Sequence, residues 1–163
     1  SIGLMKVSMI FLFATCFIAY SCNNGMKTDY YFSDNFSGEV AVIYDCGSAN
    51  DPIYKEGRLQ LYIPESGILY TKAQLPHGKS LSRFFIRRKG EAFDTIDRYL
   101  DQRDTNIKKK HIFFERVMSD SCGDSKKTYN GIFFNVGFHL DLDSVRSVFE
   151  RHVFDELCEH GCK

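Results

Sequence analysis

The sequence has no excess of charge of either sign. Its 21 Lys and Arg side chains are matched by 21 Asp and Glu side chains, so the formal net charge at pH 7 is zero. Proteins that bind nucleic acid normally carry a basic excess, because much of their affinity comes from neutralising phosphates. The composition therefore argues against a nucleic-acid partner.

Sequence signatures of the common enzyme classes are also missing. The chain contains no Gly-x-Ser-x-Gly nucleophile elbow, no Gly-x-x-x-x-Gly-Lys-Ser phosphate loop, no His-Glu-x-x-His pair and no calcium loop of alternating Asp and Asn ending in Glu. These absences weigh against the hydrolases, nucleotide-binding enzymes and metalloproteases that depend on such motifs. We expect no cofactor.

No apolar run is long enough to cross a bilayer permanently. After Lys6 such a run extends to Tyr20, which is about 15 residues where a spanning helix needs about 20. One positive charge followed by a run of this length is the layout of a secretory signal. We therefore predict a signal peptide over residues 1–21, in which residues 1–4 precede Met5 as an upstream extension.

The residues Ala19-Tyr20-Ser21-Cys22 stand where this signal ends and resemble the lipobox of bacterial lipoproteins. The resemblance implies cleavage before Cys22 and attachment of lipid to its sulfur, which would anchor the chain in a membrane of the bacterial cell envelope, the outer membrane in our interpretation. The alternatives are ordinary cleavage with secretion, and an anchor that is not cleaved. Residues 22–35 are then a lipid-anchored tether, and residues 36–163 form a single globular domain.

Beyond the leader and the anchor, the cysteines are Cys46, Cys122, Cys158 and Cys162. An even number in an oxidising compartment predicts disulfides, with three connectivities. We favour Cys46 with Cys122, since both lie in polar loops that contain glycine, and Cys158 with Cys162. The alternatives at the C-terminus are free thiols, or a zinc site that includes His152 and His160.

Strand patterns dominate the rest of the chain. Segments rich in β-branched and aromatic residues and bounded by turn residues are typical of strands, and they occur at 39–44, 58–63, 68–71, 82–87, 110–115 and 131–136. Pro64-Glu65-Ser66-Gly67 predicts a tight turn between the second and third of them. Residues 47–57 are expected to form a loop, and residues 91–103 fit either a helix or a strand.

The C-terminal region follows a helical pattern instead. From Asp141 to His160 apolar residues recur at spacings of three and four, and Asp141 is suited to cap the first turn. We therefore predict an α+β, mainly β fold, with a sandwich-like antiparallel sheet and one C-terminal amphipathic helix.

Phe-Phe pairs occur in three of the strand segments, at 84–85, 113–114 and 133–134. Successive side chains of a strand point to opposite faces, so each pair places one ring on each side of its sheet. Either both faces are covered, by a second sheet and by a helix or loops, or one row of rings is exposed for a partner. We favour the covered arrangement.

Three segments resemble an uncharacterised family of small bacterial envelope lipoproteins that share a domain of unknown function. They are Phe36-Ser37-Gly38-Glu39-Val40, the strand leading into Cys46-Gly47, and residues 62–72, of which Tyr-Ile-Pro-x-x-Gly-Ile-Leu is the most specific part. The resemblance implies an envelope lipoprotein, and it brings no activity and no site residues.

One short segment has the composition of a metal site. His139-Leu140-Asp141-Leu142-Asp143 would align three side chains that bind divalent ions, if the segment were extended. The competing interpretation is that His139 ends a strand while Asp141 and Asp143 begin the helix.

Taken together, the sequence predicts a non-enzymatic binding domain at the cell envelope, with an envelope protein or polysaccharide as partner. Basic clusters at 87–89 and 108–111 are either a solvated rim or a surface for anionic lipid or polysaccharide. The first alternative is a small hydrolase or metal-dependent enzyme that uses His139 and nearby carboxylates. The second is an immunity-like lipoprotein that neutralises a toxin at the membrane.

Overall fold

The computed structural model describes residues 25–76, 81–88, 92–98, 110–123, 127–138 and 143–162. The predicted signal peptide and Cys22 lie outside these ranges. The strands are β1 Lys27–Phe32, β2 Gly38–Tyr44, β3 Ile53–Lys55, β4 Arg58–Tyr62, β5 Ile68–Tyr70, β6 Leu81–Arg87, β7 Phe93–Ile96, β8 His111–Ser121 and β9 Thr128–Gly137, and the helix α1 spans Asp143–His160.

The strands form two sheets, both of them mixed. Sheet A has the order β3-β4-β1-β6-β7, and sheet B has the order β5-β2-β9-β8. In sheet A, β1 is parallel to both of its neighbours, and in sheet B, β2 is parallel to β5. The prediction of an antiparallel sheet is therefore wrong, because most connections cross between sheets instead of folding back as hairpins.

The turn at 64–67 is an example of a connection that crosses from one sheet to the other. Gly67 has a φ of 75°, and a side chain there would collide with the carbonyl oxygen of Glu39, so the turn requires glycine. The turn itself is confirmed by the hydrogen bond from the Gly67 amide to the Pro64 carbonyl. The strands on either side do not pair with each other, however, because β4 belongs to sheet A and β5 to sheet B.

The central strand of sheet A lies in the segment that we predicted to be a tether. In β1, Thr28, Tyr30 and Phe32 are buried on one face, while Asp29 and Tyr31 point to the other. This alternation is a strand pattern, and the charged Lys27 and Asp29 obscured it in the sequence. The folded part of the chain therefore begins by Lys27. In the same way β3 corrects the loop predicted over 47–57.

One core cluster is shared by the two sheets. Sheet A contributes Tyr30 and Phe84, and sheet B contributes Val42 and Phe134. The Tyr30 ring stacks on Phe84 at 5.0 Å and meets Phe134 edge-on at 5.3 Å. Aromatic contacts of this kind contribute beyond the area that they bury, so they are a principal attachment of sheet A to sheet B.

A second core cluster lies between sheet B and the helix. Val153 and Leu157 of α1 are fully buried against Ile43 and Phe133. Phe133 thus faces the helix while Phe134 faces sheet A, as the alternation of a strand requires. Both faces of sheet B are covered, which confirms the prediction for this Phe-Phe pair.

The four cysteines form two disulfides, but with a different connectivity from the one that we favoured. Cys46 pairs with Cys162 and Cys122 pairs with Cys158, with Cα–Cα distances of 5.6 and 5.1 Å. Cys46 follows β2 and Cys122 follows β8, and β9 lies between these strands. Two strand spacings are about 10 Å, which exceeds the Cα separation that a disulfide can bridge. Each strand is joined to the helix end instead.

We expect the disulfide that joins Cys46 to Cys162 to contribute more stability than the other, because it closes the longer loop. Replacing both of its cysteines by Ala should lower the free energy of unfolding by about 5 kcal/mol, and the same change at Cys122 and Cys158 should cost about 1 kcal/mol less. Urea unfolding of the oxidised variants measures both losses. Peptide mapping that recovers Cys46 linked to Cys122 would contradict the connectivity.

Candidate binding face

The predicted metal ligands cannot be placed as a group. His139 and Asp141 lie outside the described residues, and Asp143 is the first residue of α1, where its side chain is not described. The alternative zinc site at the C-terminus is wrong, because Cys158 and Cys162 are both disulfide-bonded and have no thiolate to offer. Glu156, Glu159 and His160 do converge on the surface of the helix.

A different set of side chains stands out on sheet A. The sheet turns one face toward sheet B, and its other face carries alternating residues from all five strands. We call this the outer face, and it consists of Lys27, Asp29, Tyr31, Ile53, Lys55, Arg58, Gln60, Tyr62, Leu81, Arg83, Phe85, Arg87, Phe93 and Thr95. Large apolar side chains on it are exposed, including Tyr62 at 58% and Ile53 at 60%.

Rings from neighbouring strands form a ladder across this face. Tyr31 stacks on Tyr62 at 4.9 Å on one side and on Phe85 at 5.2 Å on the other, with the planes nearly parallel. Phe93 meets the Tyr31 ring edge-on at 5.1 Å. We call these four residues the aromatic row. Because Tyr62 and Phe93 are exposed, the row offers apolar surface to a partner.

A buried carboxylate lies one step along the strands from the aromatic row. Asp29 accepts hydrogen bonds from Arg58 at 2.6 Å and from two nitrogens of Arg83 at 2.8 and 2.7 Å, and a weaker one from Gln60 at 3.2 Å. Burial by itself raises the pKa of Asp29, but the hydrogen bonds from Arg83, Arg58 and Gln60 outweigh it and hold the pKa below its usual value. Asp29 therefore stays ionised.

Gln60 connects this cluster to the aromatic row. Its amide nitrogen donates to Asp29, and its amide oxygen accepts a 2.8 Å hydrogen bond from the Tyr31 hydroxyl. The Arg83 guanidinium also lies over the Phe85 ring, 5.4 Å from its centroid. The charged cluster thus holds the Tyr31 and Phe85 rings in fixed positions. Side chains that are already ordered lose less conformational entropy when a partner binds.

The outer face is cationic although the whole chain has no net charge. Lys27, Lys55 and Arg87 are exposed on it, and Arg58 and Arg83 share the one carboxylate of Asp29. Described residues of the outer face include no other acidic side chain. A complementary partner would therefore present acidic groups.

Sequence reasoning found only part of this face. The Phe84-Phe85 pair placed one ring on each side of its strand, and Phe84 is indeed buried while Phe85 joins the aromatic row. Asp29 and Tyr31 were missed because they lay in the predicted tether. The signal that identifies them is the alternation of Tyr30 and Phe32 with Asp29 and Tyr31.

No known family model matches the chain, and no curated protein is similar to it in sequence. A solved crystal structure does share its fold: a Bacillus anthracis protein called a "putative lipoprotein" superposes with a TM-score of 0.58. The match covers 82% of this chain and 94% of that one, at 13% identity. At that identity the similarity concerns the fold.

We expect Asp29→Asn to destabilise the protein by about 3 kcal/mol at neutral pH, because it leaves Arg58 and Arg83 without their shared negative charge. The pKa of Asp29 is lowered by folding, so its contribution is present above the unfolded pKa and is lost as pH falls through the folded pKa. Urea unfolding from neutral to acidic pH should show the two proteins converging.

The matched control is Asp51→Asn, which removes an exposed ion pair with Lys72 and should leave the urea midpoint unchanged. An Asp29→Asn protein that keeps its full stability at neutral pH would show that the carboxylate is dispensable.

Proposed function

We propose that this protein is an exported, lipid-anchored binding protein of the bacterial cell envelope, and that its outer face recognises an acidic protein partner. The aromatic row carries this proposal, because it is exposed, apolar and flanked by arginine.

Support for the anchor comes from the leader ending at Cys22 and from a structural neighbour that bears the name of a lipoprotein. Among the described residues, no helix combines the length and apolar character needed to cross a membrane.

The composition of the outer face favours a protein as the partner. Tyr, Phe and Arg are enriched at the centres of protein interfaces, where rigid rings provide large contact areas at low entropic cost. Tyr31, Tyr62, Phe93 and Arg87 are among the residues that line a notch of about 280 Å³. An apolar side chain of the partner fits this notch, with a carboxylate near the guanidinium.

A non-enzymatic role agrees with the position of the charged groups on this face. The Asp29 carboxylate is only 2% exposed and has its oxygens occupied by Arg58, Arg83 and Gln60, so it is positioned to organise the surface and not to exchange protons with a substrate. The immunity-like alternative also requires a protein-binding surface, and the identity of the partner would distinguish it.

We expect the double substitution Tyr62→Ser and Phe93→Ser to weaken partner binding at least 30-fold, the loss of about 2 kcal/mol typical of a binding hot spot. A photo-crosslinking residue at position 62 in native membranes identifies the partner, and titration with the purified partner measures the affinity. Raising the ionic strength should weaken binding further.

The control substitutions are Val117→Ser and Val148→Ser, which alter apolar residues on β8 and α1 that are at least as exposed as Tyr62 and Phe93. They should leave the affinity unchanged. Equal losses in both double variants, or a partner that crosslinks at 117 but not at 62, would place the binding surface elsewhere.

We expect Cys22→Ala to release the protein from the membrane fraction, because the sulfur that carries the lipid is lost. Intact-mass measurement should show the lipid on the unaltered protein and its absence on the variant. Cys16→Ala, within the leader, should leave both the mass of the mature protein and its membrane attachment unchanged. A soluble, unlipidated product from the unaltered sequence would contradict the anchor.

A further inference from the structure

The distance from the proposed anchor to the folded domain is short. Strand β1 begins at Lys27, five residues after Cys22. A fully extended chain covers at most about 3.6 Å per residue, so the Cα atom of Lys27 lies within about 18 Å of the Cα atom of Cys22. A domain of this size is roughly 35 to 40 Å across. The tether therefore restricts which part of the domain meets the membrane.

Lys27 belongs to a row of side chains at one end of the outer face. In the register of sheet A, Lys27 lies beside Arg58 and Leu81, and Arg58 lies beside Lys55. We call these four residues the anchor-side row. Lys27 and Lys55 are exposed cations and Leu81 is an exposed apolar side chain at 48%, whereas the Arg58 guanidinium is turned to Asp29. The turn that joins β3 to β4, with Glu56 and Gly57, is at the same end.

We propose that the anchor-side row rests on the anionic phospholipid surface of the membrane that holds the anchor, so that sheet A stands upright with its aromatic row raised above the lipid. This orientation depends on the lipid attachment at Cys22 proposed above. Lysine and arginine are attracted to anionic headgroups within a Debye length of the surface, and Leu81 is placed to enter the interfacial region.

The parallel strands set the height of the aromatic row. Tyr31 lies four residues beyond Lys27 along β1, and Tyr62 lies four residues beyond Arg58 along β4. At about 3.3 Å per residue, both rings are roughly 13 Å farther from the membrane than the anchor-side row. One face of one sheet thus has two parts: a cationic edge for lipid and an aromatic row that remains open to a protein.

The orientation can be measured with a fluorophore at either end of β4. Glu56 and Glu65 are exposed glutamates in the turns before and after this strand, so Glu56→Cys and Glu65→Cys form a matched pair. The lipidated proteins are purified from membranes, labelled with their disulfides intact, and incorporated into vesicles of phosphatidylethanolamine and phosphatidylglycerol in equal amounts. Quenching by lipids with a nitroxide on the headgroup reports the proximity of each label.

We expect quenching at position 56 to be several-fold stronger than at position 65. Lys27→Gln with Lys55→Gln should reduce that difference, and so should vesicles of phosphatidylcholine alone, whereas Lys127→Gln with Arg151→Gln should not. Equal quenching at the two positions would mean that the domain lies on its side, and stronger quenching at 65 would mean that it is inverted. Either result overturns the orientation.

These outcomes are separate from a failure of the proposed function. Intact mass of the labelled protein shows directly whether lipid is present, and its absence would overturn the anchor together with the orientation. A lipidated protein with the wrong order of quenching overturns the orientation alone. Partner binding by the aromatic row is scored independently in the crosslinking and titration experiment.

Discussion

The insertion of β1 between β4 and β6 is the constraint on which the rest of the molecule depends. Parallel pairing on both sides leaves this strand no freedom of register, so its alternating side chains are fixed to two different surfaces. Tyr30 and Phe32 enter the core shared with sheet B, while Asp29 and Tyr31 form the centre of the outer face. A shift by one residue would expose the rings and bury the carboxylate in the core.

The two sheets differ in how their faces are covered. Sheet B packs against sheet A on one side and against α1 on the other, and its strand β9 is buried on both faces. In the part of the chain that the structure describes, the outer face of sheet A is not covered by another layer. Its buried carboxylate, Asp29, is surrounded by arginine and glutamine side chains. Local ion pairs and stacked rings take the place of a covering layer there. This asymmetry separates a structural sheet from a sheet that has surface available for binding.

Local pattern predicted the elements better than their arrangement. Strands β2, β4, β5, β6, β8 and β9 were predicted from β-branched and aromatic segments bounded by turns, and the helix was predicted from apolar spacings of three and four. Strand β1 was missed because charged residues such as Lys27 and Asp29 are typical of linkers. Only the structure shows that Arg58 and Arg83 pair with the Asp29 carboxylate, which allows it to be buried. Parallel pairing and disulfide connectivity depend on which distant strands become neighbours, and the sequence does not reveal this. Cys46 and Cys122 were therefore predicted to pair, although β9 lies between the strands that they follow.

The two disulfides also impose an order in time. Each one joins a residue that follows a strand of sheet B to the C-terminal end of α1, and the helix comes after all the described strands in the sequence. Neither covalent link can close until all the described strands and nearly all of the helix have been synthesised. The ring packing and backbone hydrogen bonds of the sheets involve residues that are all made before Cys158 and Cys162. Neither native disulfide can therefore guide the pairing of the strands while the chain is still being made.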